Sequence, residues 1–304
     1  MTTPGRVVVA GGCGAVGALL TAALRAAGRP VLVVDPAADP AAPGMLRADL
    51  TAPDTRLAAA LDGADIVVLA VPDVVAGAAL PVLARLLPPH ALLVETLSVK
   101  TPIAAALHTY RPGAPALGIN PMFAPDLGLP GRPVLTVRHH DAPVVAEFVA
   151  ALRNWGATVV DTTADEHDRI TAAVQVLTHA AILAFGIALD RLDVPDVAAQ
   201  VAAPPHTVLR ALLARVSGGT AEVYHDIQLT NPYAATARHA LAEAVADLDA
   251  ATDALPDFAA LLDRSRAALG DGQPAAAQLC AQLFAALPRD PGAVDGPREE
   301  RSRT

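Results

Sequence analysis

A short apolar run that leads into a glycine-rich turn opens the chain. Residues 7–10 (VVVA) precede residues 11–17 (GGCGAVG), in which three glycines fit the spacing G-x-G-x-x-G. There the first glycine permits a tight turn, the second lets backbone approach a pyrophosphate, and the third lets the next helix pack on the strand. The alanine-rich residues 15–27 supply that helix, whose free N–H groups favour an anion. The predicted cofactor contacts of this turn are Gly12, Gly14, Ala15, Val16 and Gly17.

An acidic residue follows the second predicted strand at the position that a ribose requires. Residues 31–34 (VLVV) end at Asp35, and an acid about 20 residues beyond the glycines accepts a hydrogen bond from the ribose 2′-OH. No Arg or Lys follows until Arg47, so the sequence offers no evident cation for a 2′-phosphate. We therefore predict NAD rather than NADP, with Val71 and Pro72 at the end of the next apolar run as further cofactor contacts.

Apolar runs alternate with helical segments through the first 160 residues. The runs are residues 64–72, 91–94, 116–119, 133–137 and 157–160, with a helix predicted over 143–155. Continuous apolar runs are typical of parallel strands buried on both faces. Their alternation with helices predicts an α/β, doubly wound parallel sheet of the Rossmann type. Because ligands bind at the carboxyl ends of such strands, Ser98, Lys100 and Asn120 should face the nicotinamide.

The pattern becomes helical after Val160. Residues 163–166 (TADE) form a capping box, and residues 166–192 read as one long helix that is apolar almost all round, as in helices packed against partners. More helices are predicted over 204–217, 221–229, 234–255, 258–269 and 274–287. We predict an NAD-binding domain over 1–163, an all-α domain over 164–288 and a disordered tail over 289–304. Because exposed apolar faces are rare in monomers, the helical domain should form a homodimer.

Composition and charge exclude several other classes of protein. The formal net charge of the 304 residues is −9, with no basic run outside the tail, which argues against nucleic-acid binding. Cys13 and Cys280 fit neither a disulfide framework nor a metal site, so no metal is expected. No signal peptide precedes the first strand, and every apolar run of 18 residues contains a charge or a helix breaker. These features predict a cytoplasmic protein without a membrane segment.

Several stretches together resemble one enzyme family. Residues 117–126 (LGINPMFAPD) resemble the L-G-x-H-P-M-F-G-P-D stretch of prephenate dehydrogenases, and residues 98–100 resemble their S-V-K. Residues 166–168 (EHD), with His179 further along the same helix, are similar to the family's E-H-D…H helix, and residues 155–157 (WGA) also fit. The resemblance covers about residues 7–255. It implies an NAD-binding domain, a helical dimerisation domain, and oxidation of a cyclohexadienyl dicarboxylate with loss of carbon dioxide.

The resemblance also suggests which side chains bind the substrate. Arg215 is similar in position to the family's substrate-binding arginine, and a guanidinium matches a carboxylate in two places; Arg210 is the alternative. His179 is expected to neighbour a substrate carboxylate. Ser98 is expected to hydrogen-bond substrate and nicotinamide, and Lys100 to contact the substrate. His167 and Asp168 are interpreted as residues that start the helix.

The chain departs from the family pattern at Asn120, where the family has a histidine. The resemblance implies that this histidine accepts the proton of the substrate's 4-hydroxyl as hydride leaves, and an asparagine has no basic nitrogen for that task. A 4-amino group needs no such base, because its own lone pair can expel the hydride while the Asn carbonyl accepts an N–H bond. We therefore hypothesise that the substrate is 4-amino-4-deoxyprephenate and the product 4-aminophenylpyruvate, a precursor in antibiotic pathways that build p-aminophenylalanine.

Two other functions stay open at this stage. The chain could be an ordinary prephenate or arogenate dehydrogenase in which water takes the proton, or a non-catalytic protein that binds NAD. The presence of Ser98, Lys100, His179 and Arg215 argues against the second, because a cofactor sensor would not need them. The sequence does not decide whether the substrate side chain is keto or amino.

Overall fold

The computed structural model describes residues 5–193 and 201–287, so the predicted tail over 289–304 lies outside the described residues. The chain divides into two compact units: the described residues up to Ala172 with Leu229–Tyr233, and Ala173–Gln228 with the described residues from Ala234 on. The first unit thus extends nine residues beyond the predicted boundary at 163 and takes in a short segment that returns from the helical half.

An eight-stranded sheet forms the centre of the first unit. The strands are β1 Val7–Ala10, β2 Val31–Val34, β3 Met45–Leu46, β4 Ile66–Leu69, β5 Leu92–Glu95, β6 Ala116–Pro121, β7 Pro133–His140 and β8 Thr158–Thr162. Their order is β3-β2-β1-β4-β5-β6-β7-β8, and every neighbouring pair from β3 to β6 is parallel. This arrangement confirms the predicted Rossmann-type sheet.

One pair of strands departs from the all-parallel prediction. Strand β7 runs antiparallel to β6, while β8 is parallel to β7. Parallel neighbours need a crossover of about a dozen residues or more, usually a helix. The connection over residues 122–132 contains only the single-turn 3₁₀ helix Pro125–Leu127, so the chain turns back. Helix α5, Pro143–Asn154, supplies the crossover between β7 and β8.

Helices cover both faces of the sheet. They are α1 Ala15–Ala26, α2 Thr55–Asp62, α3 Asp73–Leu86, α4 Thr101–Tyr110 and α5; α2 to α4 and β3 lie between the predicted strands without having been singled out from the sequence. One core layer joins the sheet to side chains such as Leu57, Leu83 and Leu107. The opposite layer includes Leu20 and Phe148. Strands β1, β4 and β5 are buried along their whole length, as the apolar runs predict.

The remaining helices start at the predicted capping box. Thr163 accepts the N–H of Glu166, and the Glu166 carboxylate accepts the N–H of Thr163. The helices that follow are α6 Ala164–Thr171, α7 Thr178–Leu192, α8 Pro204–Ser217, α9 Ala221–Thr230, α10 Ala234–Ala251, α11 Leu255–Ala267 and α12 Gln273–Ala286. A π-helical stretch, Ala172–Leu177, joins α6 to α7, so the predicted single helix over 166–192 is continuous but changes its winding.

The segment Ala164–Leu192 is long and apolar enough, by length and composition, to cross a membrane; its best 18-residue window has a mean hydropathy of 1.9. Residues 172–189 contain no Asp, Glu, Lys or Arg, and helix α7 continues through their one glycine, Gly186, so the expected interruption of each such run by a charge or a helix breaker does not hold here. A helical glycine costs only about 1 kcal/mol. Here its missing Cβ leaves room for Leu213 of α8, whose Cδ1 lies 2.7 Å from where that Cβ would be.

Candidate active site

The glycine turn between β1 and α1 has the close backbone contacts of a dinucleotide loop. Gly11 has a φ of +77°, so the tight turn falls one residue before the glycine that the sequence assigned to it. A Cβ on Gly12 would lie 2.6 Å from Cγ1 of Val33, so Gly12 is needed for packing rather than for turning. A Cβ on Gly17 would lie 2.2 Å from the carbonyl oxygen of Gly11. The third glycine therefore lets α1 pack on the turn, as predicted.

The turn leaves an anion site open at the start of α1. Gly14 is the N-cap residue, and none of the side chains that the structure describes caps this helix end, so the first backbone N–H groups can bind a ligand. Val71 is half-buried and Pro72 is exposed in the loop that follows β4. The Cγ1 atom of Val71 lies 3.0 Å from where a Cβ of Gly11 would be, so Val71 borders the turn. These features fit a dinucleotide pyrophosphate.

The carboxylate of Asp35 is held beside the same turn. Its Oδ2 accepts the N–H of Cys13 at 3.1 Å and its Oδ1 accepts the N–H of Ala37 at 2.8 Å. Arg47 lies closer to Asp35 than their separation in the sequence suggests. Strand β3 pairs with β2, and the carbonyl of Leu46, the residue before Arg47, accepts the N–H of Asp35. The Arg47 Nε donates to Ala38 at 2.9 Å. The spacing argument for NAD is therefore weak, and the case rests on the Asp35 carboxylate.

Asn120 lies near the end of β6 in contact with a buried histidine. Its Nδ2 is 3.1 Å from Nε2 of His167, and the Nδ1 of His167 is 2.9 Å from Oδ1 of Asp168. His167 and Asp168 are fully buried and Asn120 is 5% exposed. The predicted role of the pair as plain helix-start residues is thus incomplete, because they support the residue that replaces the family's histidine.

Asp168 also fixes the start of helix α4. Its carboxylate accepts the N–H of Lys100 at 2.7 Å, the N–H of Thr101 at 2.9 Å, and the hydroxyl of Thr101. Burial opposes ionisation of Asp168, but these bonds and the bond from His167 outweigh it and lower its pKa. Asn231, from the returning segment, donates to the backbone carbonyl of Asp168 at 2.9 Å.

Lys100 does not have the predicted orientation toward a substrate. Its side chain is fully buried, and its ammonium donates to Oε2 of Glu95 at 2.7 Å, to the carbonyl of Leu97 at 2.8 Å and to that of Ile119 at 3.0 Å. All three ammonium hydrogens therefore have acceptors inside the protein. Lys100 therefore supports the strand ends around Asn120, and its ammonium is not available for the predicted contact with a substrate.

Glu95 is the centre of this buried network. It accepts from Lys100 through Oε2, and its Oε1 lies 2.8 Å from Nε2 of His139. Burial opposes its ionisation, but Lys100 and His139 together lower the pKa of Glu95. A Cβ on Gly118 would lie 2.3 Å from Oε1 of Glu95, so a glycine is required there. Ser98 is half-buried on the same loop, and its hydroxyl has no hydrogen-bond partner among the described residues.

A second cluster of predicted residues lies in the helical unit. The rings of His179 and Tyr224 meet edge to face with centroids 4.9 Å apart, and the Nδ1 of His179 is buried without a hydrogen-bond partner within residues 5–193 and 201–287. Burial and then the positive charge of Arg215 lower the pKa of His179. Arg215 and Arg210 are both exposed, and Arg215 is the one whose charge acts on His179. A neutral imidazole beside a guanidinium is suited to bind a carboxylate.

Comparisons with known proteins agree with the resemblance to prephenate dehydrogenases. The family described as "Prephenate dehydrogenase, dimerization domain" matches residues 163–262. The chain is 47% identical over 289 residues to 4-amino-4-deoxyprephenate dehydrogenase of Streptomyces pristinaespiralis, covering 93% of this chain and 97% of that one. It is 28% identical over 225 residues to the T-protein of Haemophilus influenzae, covering 73% of this chain and 55% of the T-protein.

Two solved structures share the fold. Prephenate dehydrogenase from Aquifex aeolicus, solved with hydroxyphenyl propionate and NAD+, gives a TM-score of 0.70 at 16% identity, covering 86% of this chain and 96% of that one. Arogenate dehydrogenase of Synechocystis gives a TM-score of 0.61 at 21% identity, covering 86% and 97%. The glycine turn, the E-H-D helix and the near full-length relative agree, and the chain belongs to the prephenate dehydrogenase family.

Proposed function

We propose that the protein catalyses the NAD-dependent oxidative decarboxylation of 4-amino-4-deoxyprephenate to 4-aminophenylpyruvate. The Streptomyces pristinaespiralis relative that covers nearly the whole chain carries the name of this activity. The observation that carries the proposal is Asn120, an amide at the place where the family pattern has an imidazole, with its nitrogen bonded to His167. A site built in this way lacks a basic group on residue 120.

The residues of the first unit would hold NAD in the usual manner of a dinucleotide loop. The N–H groups that follow Gly14 would bind the pyrophosphate, Gly17 would let the helix approach, and the Asp35 carboxylate would accept the ribose hydroxyl. Bound NAD+ supplies the acceptor for a hydride from carbon 4 of the substrate. Ser98, in the loop after β5, would hydrogen-bond the substrate beside the nicotinamide.

The chemistry of a 4-amino substrate balances without a protein base. As the C4–H bond breaks, the nitrogen lone pair stabilises the positive charge that develops on the ring. The electrons of the bond between carbon 1 and its carboxylate then enter the ring and cancel that charge, and carbon dioxide leaves. The nitrogen keeps both protons in the aromatic product. Asn120 has only to accept an N–H hydrogen bond and align the ring.

The two carboxylates of the substrate require cationic or hydrogen-bonding partners. Arg215 would bind one of them through its guanidinium fork. His179, whose pKa is lowered by burial and by Arg215, would be neutral in the free enzyme, and its Nδ1 would form a hydrogen bond with the carboxylate or with another substituent of the substrate. A substrate with an amino in place of a keto side chain would leave these contacts unchanged.

The test is steady-state NADH formation by the purified protein, with 4-amino-4-deoxyprephenate and prephenate supplied side by side. We expect kcat/KM for the amine to exceed that for the alcohol by at least the value of one general base, about 10²-fold. Equal turnover of both substrates would favour an ordinary prephenate or arogenate dehydrogenase. Dinucleotide binding without turnover of either would favour a non-catalytic NAD-binding protein.

We also propose a homodimer formed through the helical unit. Its apolar faces are largely uncovered within one chain: Val174, Ile187 and Leu192 on the Ala164–Leu192 segment are each at least half exposed. A cytoplasmic location, without nucleic-acid or membrane partners, fits an enzyme whose cofactor and substrate are small metabolites.

A further inference from the structure

Asp168, His167 and Asn120 form a row of hydrogen-bonded side chains that ends at the proposed substrate position. Asp168 contacts His167, and His167 contacts Asn120, through distances of 2.9 and 3.1 Å. The first two side chains are fully buried, so water does not compete for these bonds. The row ends at Asn120, the position where the family pattern has a histidine. Its hydrogen-bond directions therefore decide what Asn120 presents to a ligand.

The direction of each bond follows from Asp168. Its two oxygens receive four donors: the backbone N–H groups of Lys100 and Thr101, the hydroxyl of Thr101 and the Nδ1 of His167. A carboxylate has about four acceptor positions, and an ionised one cannot donate. His167 must therefore carry its proton on Nδ1. The favoured state of a ring buried in this way is neutral, since burial and the charge of Lys100 lower the pKa of His167 more than Asp168 and Glu95 raise it.

A neutral ring with its proton on Nδ1 has a lone pair on Nε2. That lone pair accepts a hydrogen bond, so the atom of Asn120 that meets it must be the amide nitrogen. The Oδ1 of Asn120 then lies on the opposite branch of the amide, and it has no hydrogen-bond partner in the described part of the chain. The end of the amide left for a ligand is thus an acceptor.

We propose that Asp168 and His167 are positioning residues that hold the amide of Asn120 with its carbonyl oxygen toward the substrate, which makes the site selective for a 4-amino group. This inference rests on the proposed function, since it names how the site recognises that substrate. In this orientation the carbonyl oxygen of Asn120 can accept a hydrogen bond from an N–H of the neutral 4-amino group. With the amide turned around, the N–H donors of Asn120 would face the N–H donors of the amine.

The same row prevents His167 from acting as a substitute base. Its Nε2 lone pair is occupied by the Asn120 amide, and its Nδ1 proton is held by Asp168. An amide nitrogen does not carry protons onward, so a proton leaving a 4-hydroxyl would have no acceptor along this row. A 4-hydroxy substrate can still bind through its O–H, but the row gives its oxidation no assistance.

The tautomer of His167 can be measured without any assay of activity. In protein labelled with ¹⁵N-histidine, we expect the His167 ring to show the Nδ1–H neutral form across the neutral pH range. Charged groups that act on this ring are Asp168 on its own helix, and Glu95 and Lys100 on the β5 strand and the loop after it. A wild-type ring in the Nε2–H form, or a doubly protonated ring at neutral pH, would overturn the proposal.

Two substitutions at His167 separate positioning from simple packing. His167→Phe removes the acceptor, and we expect kcat/KM for the amine to fall about 10- to 100-fold, the value of one buried hydrogen bond. His167→Gln can offer an amide oxygen to Asn120, so it should recover much of that loss. Equal losses in both variants would contradict the proposal. The matched control is His140→Gln, which removes a partly buried histidine bonded to the carbonyl of Ala114 and should leave kcat/KM unchanged.

Asp168→Asn supplies the complementary result. An amide at 168 can donate to Nδ1 of His167, which moves the ring proton to Nε2 and turns the Asn120 amide around. The ¹⁵N spectrum should then show the Nε2–H form, with kcat/KM for the amine lowered and binding of prephenate little changed. If these variants fail to fold, the wild-type tautomer still decides. Failure of wild-type enzyme to oxidise the amine would instead defeat the proposed function, whatever the tautomer.

Discussion

At the scale of single residues, position 120 sets the chemistry that the protein can assist. In Asn120→His, an imidazole N–H can replace the amide nitrogen as the donor to Nε2 of His167, which leaves the other ring nitrogen free as a base. We expect a gain in prephenate turnover of about 10²- to 10⁴-fold, the usual contribution of a general base, and a loss with the amine. The measurement is the rate of NADH formation by the wild type and the variant with each of the two substrates. An unchanged ratio would contradict the assignment.

Arg215 should act on substrate binding more than on the chemical step. Arg215→Ala removes a charged, bidentate contact, and we expect KM to rise about 10- to 100-fold, with a smaller change in kcat. Arg215→Lys should recover only part, because an ammonium lacks the fork geometry. Arg210→Ala, a change of an exposed arginine in the same helix, is the control. If it has the larger effect on KM, the alternative assignment is correct.

The buried histidines give the stability a pH dependence with a definite sign. The pKa values of His167 and His179 are lowered in the folded protein from an ordinary value of 6.5, so the unfolded chain binds more protons. Their contribution is present above about pH 6.5 and is lost as the pH falls below it, by up to about 1.4 kcal/mol per pH unit for each group. Urea unfolding between pH 8 and 5 measures this slope. His167→Gln should make it shallower, and an unaltered slope would exclude His167 as its source.

At the scale of elements, the buried Glu95–Lys100 pair joins the loop after β5 to the end of β6. Lys100→Met would leave the Glu95 carboxylate buried without its cation, and we expect a loss of about 3–5 kcal/mol in the free energy of unfolding. The double variant Glu95→Gln with Lys100→Met removes both charges and should be much less destabilised. Denaturant unfolding of the single and double variants is the measurement. Equal losses would mean that the charge pair is not what stabilises this junction.

The ends of some helices could be predicted from the sequence, because they are set by residues only a few positions away. The capping box at Thr163 and Glu166 and the bounds of α8, Pro204–Ser217, agree with prediction because caps, prolines and glycines act within a few positions. The direction of β7 could not be predicted, since an apolar strand pattern is the same in both directions. Only the length and content of the connection over 122–132 decide it.

The candidate site illustrates the same limit. The glycines, Asp35 and Asn120 could be named from spacing and motif, because each belongs to a short recognisable stretch. The supporting role of His167 and Asp168 could not, since their partners Asn120 and Lys100 lie 47 and 68 positions away. Lys100 was predicted to contact a substrate because it follows the end of a strand. Only the fold reveals that its ammonium is buried against the carboxylate of Glu95, five residues away.

At the scale of the whole molecule, the two units differ in how they bury apolar surface. The sheet unit has a core on each face. In the helical unit, the described residues form a small cluster of Val176, Ile227 and Ala234. Its large apolar side chains lie mostly on helix surfaces, an amount of exposed apolar area that marks an interaction site. The homodimer proposed above would cover these faces with the same unit of a second copy.

Charges placed on this apolar face should therefore break the dimer. Val174 and Ile187 are 50% and 54% exposed on the Ala164–Leu192 segment, so Val174→Glu with Ile187→Glu costs little within one chain but places carboxylates in the proposed interface. The molar mass measured by light scattering after size-exclusion chromatography should fall from twice 30.9 kDa for the wild type to 30.9 kDa for the double variant. Tyr110→Glu, at an exposed aromatic residue of the sheet unit, should leave the wild-type mass unchanged. A wild-type protein that elutes as a monomer would contradict the proposed dimer. A double variant that still dimerises would show that the interface does not include this face.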